Sequence, residues 1–155
     1  MLSSLLHNPL LWIALSASLM AQVVKLLWFW GRSGQWEWRL LVQTGGMPSS
    51  HAALVSALCA GVGLQEGWDS VLFAACCVFA VIVMYDAAGI RQAAGQQATV
   101  LNRMISTLFD KDHPLSDQEL KELLGHTPLQ VFVGSILGVL WAIMLSQVWG
   151  IFPAQ

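Results

Sequence analysis

Long apolar runs, broken by short polar turns and one longer polar stretch, organise this chain of 155 residues. They predict four helices, over residues 9–30, 51–64, 68–89 and 128–152, with Pro9 and Pro128 suited to a first helical turn. At about 1.5 Å per residue, the run 51–64 falls well short of a hydrocarbon core of about 30 Å. It needs shielding by the other helices or extension by the loop before it. The stretch 90–127 holds most of the remaining polar residues and predicts a helix over 93–109, a turn over 110–114 and a second short helix over 115–124. Ser116 is placed to cap that last helix, with Glu119 at the capping-box position. Glycines at 45–46, 89, 134 and 138 mark expected close helix approaches.

Composition then sets the class. The chain is 56% hydrophobic and only 10% charged, whereas a soluble domain carries about 25% charged residues. The expectation is an all-α integral membrane protein, one domain over 1–155, built as a bundle of about four transmembrane helices with short amphipathic helices between the third and fourth. Residues 1–8 lack a basic signal-peptide segment and the run after them is too long for one, so the first helix reads as retained. A net charge of −2 without a basic arm excludes nucleic acid as a partner. The implied partner is the lipid bilayer, and a homo-oligomer is left open. Cys59, Cys76 and Cys77 lie in apolar runs without metal-ligand spacing and read as small buried hydrophobes. Trp28, Trp30, Trp36, Trp38, Trp68, Trp141 and Trp149 fall near predicted span ends, as an interfacial aromatic belt requires.

Charge placement adds a sidedness. Lys25, Arg32, Arg39, Arg91, Arg103, Lys111 and Lys121 all fall at the segments joining the first run to the second and the third to the fourth. With four spans these segments share one face, and the positive-inside rule puts that face in the cytoplasm and both termini outside.

The same face collects the residues suited to chemistry: Lys25, Arg32, Ser49, Ser50, His51, Asp86, Arg91 and His126. The segment Gly45-Gly46-Met47-Pro48-Ser49-Ser50-His51 places small residues, hydroxyls and an imidazole at the mouth of an apolar run. It reads either as a helix cap or as an anion cradle of backbone N–H groups and hydroxyls. Lys25 reads as a side chain snorkelling to the interface or as a partner for an anion, and Asp86 as a helix-end residue paired with Arg91 or as part of a site. His7 and His113 read as solvated or interfacial, and Gln96 and Gln97 as helix-capping or substrate-contacting.

Lys25, six residues, then Arg32, followed later by Pro48-Ser49-Ser50-His51, resembles the first two signatures of the type 2 phosphatidic acid phosphatase superfamily. Those are Lys, six residues, Arg-Pro, and Pro-Ser-Gly-His. The third signature, Ser-Arg, five residues, His, three residues, Asp, is present in pieces. Arg91 ends Asp86-Ala87-Ala88-Gly89-Ile90-Arg91, and His126 lies in Gly125-His126-Thr127-Pro128-Leu129-Gln130-Val131, ahead of Gly134 and Gly138. With Gly95, Gln97 and Asn102, the pattern is similar to the divergent branch of that superfamily, small bacterial and plastid membrane proteins, over nearly the whole chain.

The resemblance implies a metal-independent phosphatase without a cofactor. Lys25, Arg32 and Arg91, with Ser49, Ser50 and the turn at Pro48 to His51, would hold the phosphoryl oxygens. His126 would attack phosphorus, and His51 would protonate the leaving oxygen and then activate water. Three positions depart from the signatures: Ser33 replaces Pro, Ser50 replaces Gly, and Gln130 stands where the superfamily has the Asp that orients the nucleophilic His. Gln130 could still orient His126 by accepting the ring N–H through its carbonyl, though without a charge, and Asp86 is a candidate to supply the missing carboxylate. The substrate implied is a phosphorylated membrane lipid, a monoester or a pyrophosphate. The alternative is a weak or inactive protein that binds or moves phosphorylated lipid, and a third reading is a scaffold whose polar cluster only packs helices.

Overall fold

The computed structural model describes residues 6–41, 45–108, 120 and 125–150. Among them are five α-helices: α1 over Pro9–Ser33, α2 over Ser50–Glu66, α3 over Val71–Tyr85, α4 over Arg91–Leu108 and α5 over Pro128–Trp149. A 3₁₀ turn at Trp38–Leu41 follows α1, and a π turn at Asp86–Ile90 joins α3 to α4. The expected turn over 110–114, the helix over 115–124 with Ser116 and Glu119, His113, Lys111, Lys121 and the last residues of the run to 152 lie outside the described residues.

Helix ends follow local chemistry. Pro9 opens α1 behind Asn8, whose side chain accepts from the Leu11 N–H, and Gly34 closes it in the left-handed region at φ 69°. Ser49 caps α2 by accepting from Ala52, and Ser70 caps α3 by accepting from Phe73. Thr127 and Gln130 form a reciprocal capping box at the start of α5.

One boundary differs from the sequence expectation. The third apolar run and the polar helix after it form one continuous helical rod, Val71–Leu108, rather than two elements broken near Gly89. No proline interrupts this stretch, and the wider π turn absorbs the change from an apolar to a polar sequence without ending the helix.

Three helices are long and apolar enough to cross a membrane: Pro9–Ser33, Val71–Leu108 and Pro128–Trp149. The 17 residues of α2 make it shorter, and it is the shielded element, packed against α1, α3 and α5. The burial pattern is that of helices in lipid. Small residues fill the interior, with Ala17, Ala57, Ala60 and Ala142 around Ile13, while Leu15, Leu19, Val78, Ile82, Phe132 and Leu140 face outward. In a bilayer the outside is as apolar as the core, so close backbone packing replaces hydrophobic burial as the cohesive term. Gly134 and Gly138 make that packing: a Cβ at Gly134 would strike the Ser49 carbonyl oxygen, and one at Gly138 the Ala53 carbonyl.

Trp30, Trp36 and Trp38 stack in series with centroids 5.1 and 5.6 Å apart, exposed at one end of the molecule as a belt requires. Trp141 does not belong to that belt. It packs against the Ile13 cluster and its Nε1–H donates to Ser16 Oγ at 2.9 Å. Cys59, Cys76 and Cys77 are free thiols, half-buried rather than fully buried, with Cys59 Sγ 3.2 Å from Cys77 Sγ between α2 and α3.

Candidate functional site

The C-terminal half of α1, the N-terminus of α2, the π turn and the N-terminus of α5 bring the candidate residues to one end of the bundle. Three backbone latches hold these segments in register. The Ser49 N–H donates to the Gln130 carbonyl at 3.1 Å, and the His126 N–H donates to the Ala87 carbonyl at 2.9 Å. Gly125, at φ 84°, lies so close to the Arg91–Gln92 peptide that a Cβ would come within 2.8 Å of the Arg91 carbonyl carbon. Beneath the site, Ala52, Ala87 and Val131, with Met84 and Ala88 against them, form an apolar floor.

His51 and His126 face one another edge to plane, with ring centroids 6.1 Å apart. His126 is 3% exposed, whereas His51 is exposed on the first turn of α2. The His126 Nδ1 lies 3.2 Å from Gln130 Oε1, which also accepts the Thr127 N–H at 3.1 Å. Because a backbone N–H can only donate, the atom it meets must be the amide oxygen, and the His126 Nδ1 must donate to it too. In the neutral ring Nε2 then carries the lone pair. Burial pushes the His126 ring below its ordinary value of 6.5, the Gln130 hydrogen bond opposes that shift, Lys25 and His51 add to it, and a bond with the Gly46 backbone opposes it.

Lys25 is 4% exposed, and its Nζ has no hydrogen-bond partner among the described residues. Its methylenes lie under Gly46, where a Cβ would come 3.4 Å from Lys25 Cδ. Gly45 and Gly46 hold φ of 95° and 80°, conformations that side chains rarely adopt, and the Met47–Pro48 peptide is cis. Ser49 and Ser50 are buried at the start of α2. The charges of Arg91, Lys25 and Asp86 all act on His51.

Asp86 follows one of its two readings, and Arg32 departs from its own. Asp86, a candidate carboxylate for His126, bonds Arg91 instead, Oδ2 to Nε at 2.9 Å, because the five-residue π turn sets the two side chains face to face. Gln130 itself holds the His126 ring. Arg32, expected among the phosphate ligands, sits seven residues and about 10 Å of helix beyond Lys25, exposed, with its guanidinium 6.0 Å from the Trp28 ring centroid. Gln96 and Gln97 are exposed along α4. Reading residue types alone missed the Thr127–Gln130 capping box, although Thr, two residues, Gln is its ordinary signal. It also passed over Gln22, whose Oε1 is buried without a hydrogen-bond partner among the described residues.

An all-α bundle with an apolar exterior and a polar cluster of two imidazoles, a buried ammonium and an Asp–Arg pair at one end is an integral membrane protein of the PAP2-like class. The chain belongs to the divergent PAP2 family, which matches residues 6–141. It is also 44% identical over 152 residues to the uncharacterized membrane protein YuiD of Bacillus subtilis strain 168, an alignment covering 92% of this chain and 96% of that protein. No solved structure matches.

Proposed function

We propose that this protein is a phosphatase acting on a phosphate monoester or pyrophosphate carried by a membrane lipid. The observation that carries the reading is the pair of imidazoles, 6.1 Å apart, beside a buried ammonium without a hydrogen-bond partner among the described residues. An ammonium taken out of water without a partner is costly, and an incoming phosphoryl oxyanion relieves that cost.

In this reading Lys25, Ser50 and the N–H groups at the start of α2 hold the phosphoryl oxygens, with Arg91 at the rim. The His126 Nε2 lone pair attacks phosphorus while the bond from phosphorus to the lipid oxygen breaks, and His51 gives that oxygen its proton. His51 then takes a proton from water as the water oxygen attacks phosphorus and the N–P bond breaks, returning His126 to its starting state. Gln130 orients the ring through Nδ1. Arg32, turned to Trp28, stands outside the clamp. The lipid tail lies along the exposed apolar faces of the bundle. The same reading takes α2 as a fourth, shielded crossing, with both termini outside and the site at the cytoplasmic face.

A second reading rests on Gln130. A neutral amide at the position of a carboxylate orients the ring but does not stabilise its cation, and in a serine-protease triad the comparable change costs about 10⁴ in turnover. That favours a protein that binds or moves phosphorylated lipid with little hydrolysis.

Phosphate release by the detergent-purified protein from phosphatidic acid, phosphatidylglycerol phosphate and undecaprenyl pyrophosphate, with chelator present, separates the two. The phosphatase reading expects turnover that His126→Ala and His51→Ala each lower by about 10²-fold or more. Binding without turnover in the unmodified protein supports the second reading and overturns the first.

A further inference from the structure

Two buried polar atoms on α1 lack a hydrogen-bond partner among the described residues: Lys25 Nζ and Gln22 Oε1. They sit three residues apart and are therefore neighbours on one helix face. Helical side chains lean toward the N-terminus, so Lys25 reaches back over the turn that carries Gln22. Gly46 closes over the Lys25 methylenes. A buried polar group left without a partner is costly, and more so when charged. One face of α1 thus carries a donor and an acceptor, neither with a partner among the described residues and not bonded to each other. Their complement is a ligand that offers an acceptor and a donor on adjacent atoms, and a singly protonated phosphate monoester does so through P–O⁻ and P–OH.

We propose that Gln22 is a specificity-determining residue of the phosphate site, its Oε1 accepting the P–OH of a singly protonated phosphate while Lys25 holds the neighbouring P–O⁻. The proposal rests on the phosphate reading above and names the headgroup it takes. A phosphate diester has no P–OH and leaves Gln22 buried and unpaired. The pair therefore rejects the phosphodiester headgroups of bulk membrane lipid and accepts a terminal phosphate, whether of a monoester or of a pyrophosphate.

The test compares binding of methyl phosphate and dimethyl phosphate to the detergent-purified full-length protein by calorimetry. At about pH 5, below a second phosphate ionisation near 6, both ligands carry one negative charge and differ in the P–OH. The unmodified protein is expected to bind methyl phosphate about tenfold more tightly, the worth of one hydrogen bond near a charge. Gln22→Met should bring the two ligands to parity while leaving dimethyl phosphate binding unchanged, and Lys25→Met should abolish binding of both.

A second measurement needs no variant. Raising the pH to about 8 removes the P–OH, so the preference for methyl phosphate should fall. His51, His126, Asp86 and Arg91 are the other charged and titratable groups at this end of the bundle, and dimethyl phosphate, which does not ionise in this range, serves as the control for any change in them. A site that senses only charge gives the opposite trend, because the dianion then binds more tightly.

Equal affinities at low pH, a preference that survives in folded Gln22→Met, or no binding of either ligand overturns the proposal. These outcomes are separate from the phosphatase reading. Preference without lipid-phosphate turnover sustains Gln22 and overturns hydrolysis, whereas turnover abolished by His126→Ala without any preference does the reverse.

Discussion

Gln130 joins two tasks in one side chain: its amide oxygen closes the capping box on Thr127 and fixes the proton on His126 Nδ1. Replacing it with Glu keeps the reach and the cap and adds the negative charge that an amide lacks. A carboxylate favours the imidazolium, so Gln130→Glu should raise the His126 pKa. Titration of the His126 ring by NMR checks this. In the unmodified protein burial and Lys25 hold that pKa below its ordinary value, so the ring stays neutral and nucleophilic at neutral pH. Under the phosphatase reading turnover therefore survives mild acid and fails only as pH falls through the lowered value; in Gln130→Glu the acid limb of the pH–rate profile moves upward. Residue types and spacing pointed to His51, His126, Lys25 and Arg91 as one group. They left open whether Asp86 pairs with Arg91 or joins the site, and they passed over Gln22, whose Oε1 is buried on the same face of α1 as Lys25. Those are matters of which way each helix is turned.

At the scale of elements, α2 and α5 meet through glycine. A Cβ at Gly138 would collide with the Ala53 carbonyl, and that carbonyl belongs to helix backbone that cannot step aside. Gly138→Ala is expected to destabilise the protein by about 1–3 kcal/mol, seen as a lower thermal midpoint in detergent. Gly125→Ala combines a left-handed φ of 84° with contact to the Arg91–Gln92 peptide. Under the phosphatase reading it should displace the His126 loop and lower activity more than stability, as a comparison of phosphate release with thermal melting would show. Caps at Asn8, Ser49, Ser70 and Thr127 depend on residues within one turn, and the helix starts were accordingly legible within a few residues. The continuity of α3 into α4 was not legible. Falling hydropathy reads as the end of a span, but a helix backbone needs no apolar side chains to continue.

Across the whole molecule, the ends of α1 and α3 and the starts of α2 and α5 converge at one end, where the exposed Arg39 also lies on the 3₁₀ turn after α1. The cytoplasmic assignment expects Arg39→Cys, in a background with Cys59, Cys76 and Cys77 replaced by Ala, to resist an impermeant thiol reagent in intact cells and to react after permeabilisation. Labelling of intact cells would reverse the sidedness. The inverted burial pattern, alanine and glycine inside with leucine and phenylalanine outside, makes the bilayer part of the folded state.

The amino-acid sequence by itself determined the membrane class, the helix starts and the set of residues gathered near one face, because hydropathy, capping and charge bias are read within a turn or a span. Tertiary structure decided the pairings: Gln130 with His126, Arg91 with Asp86, Arg32 with Trp28, and the Lys25 methylenes under Gly46. The physical reason is rotational. Which side chains meet depends on the azimuth of each helix, and that is set by small residues such as Gly134 and Gly138 letting distant backbones touch.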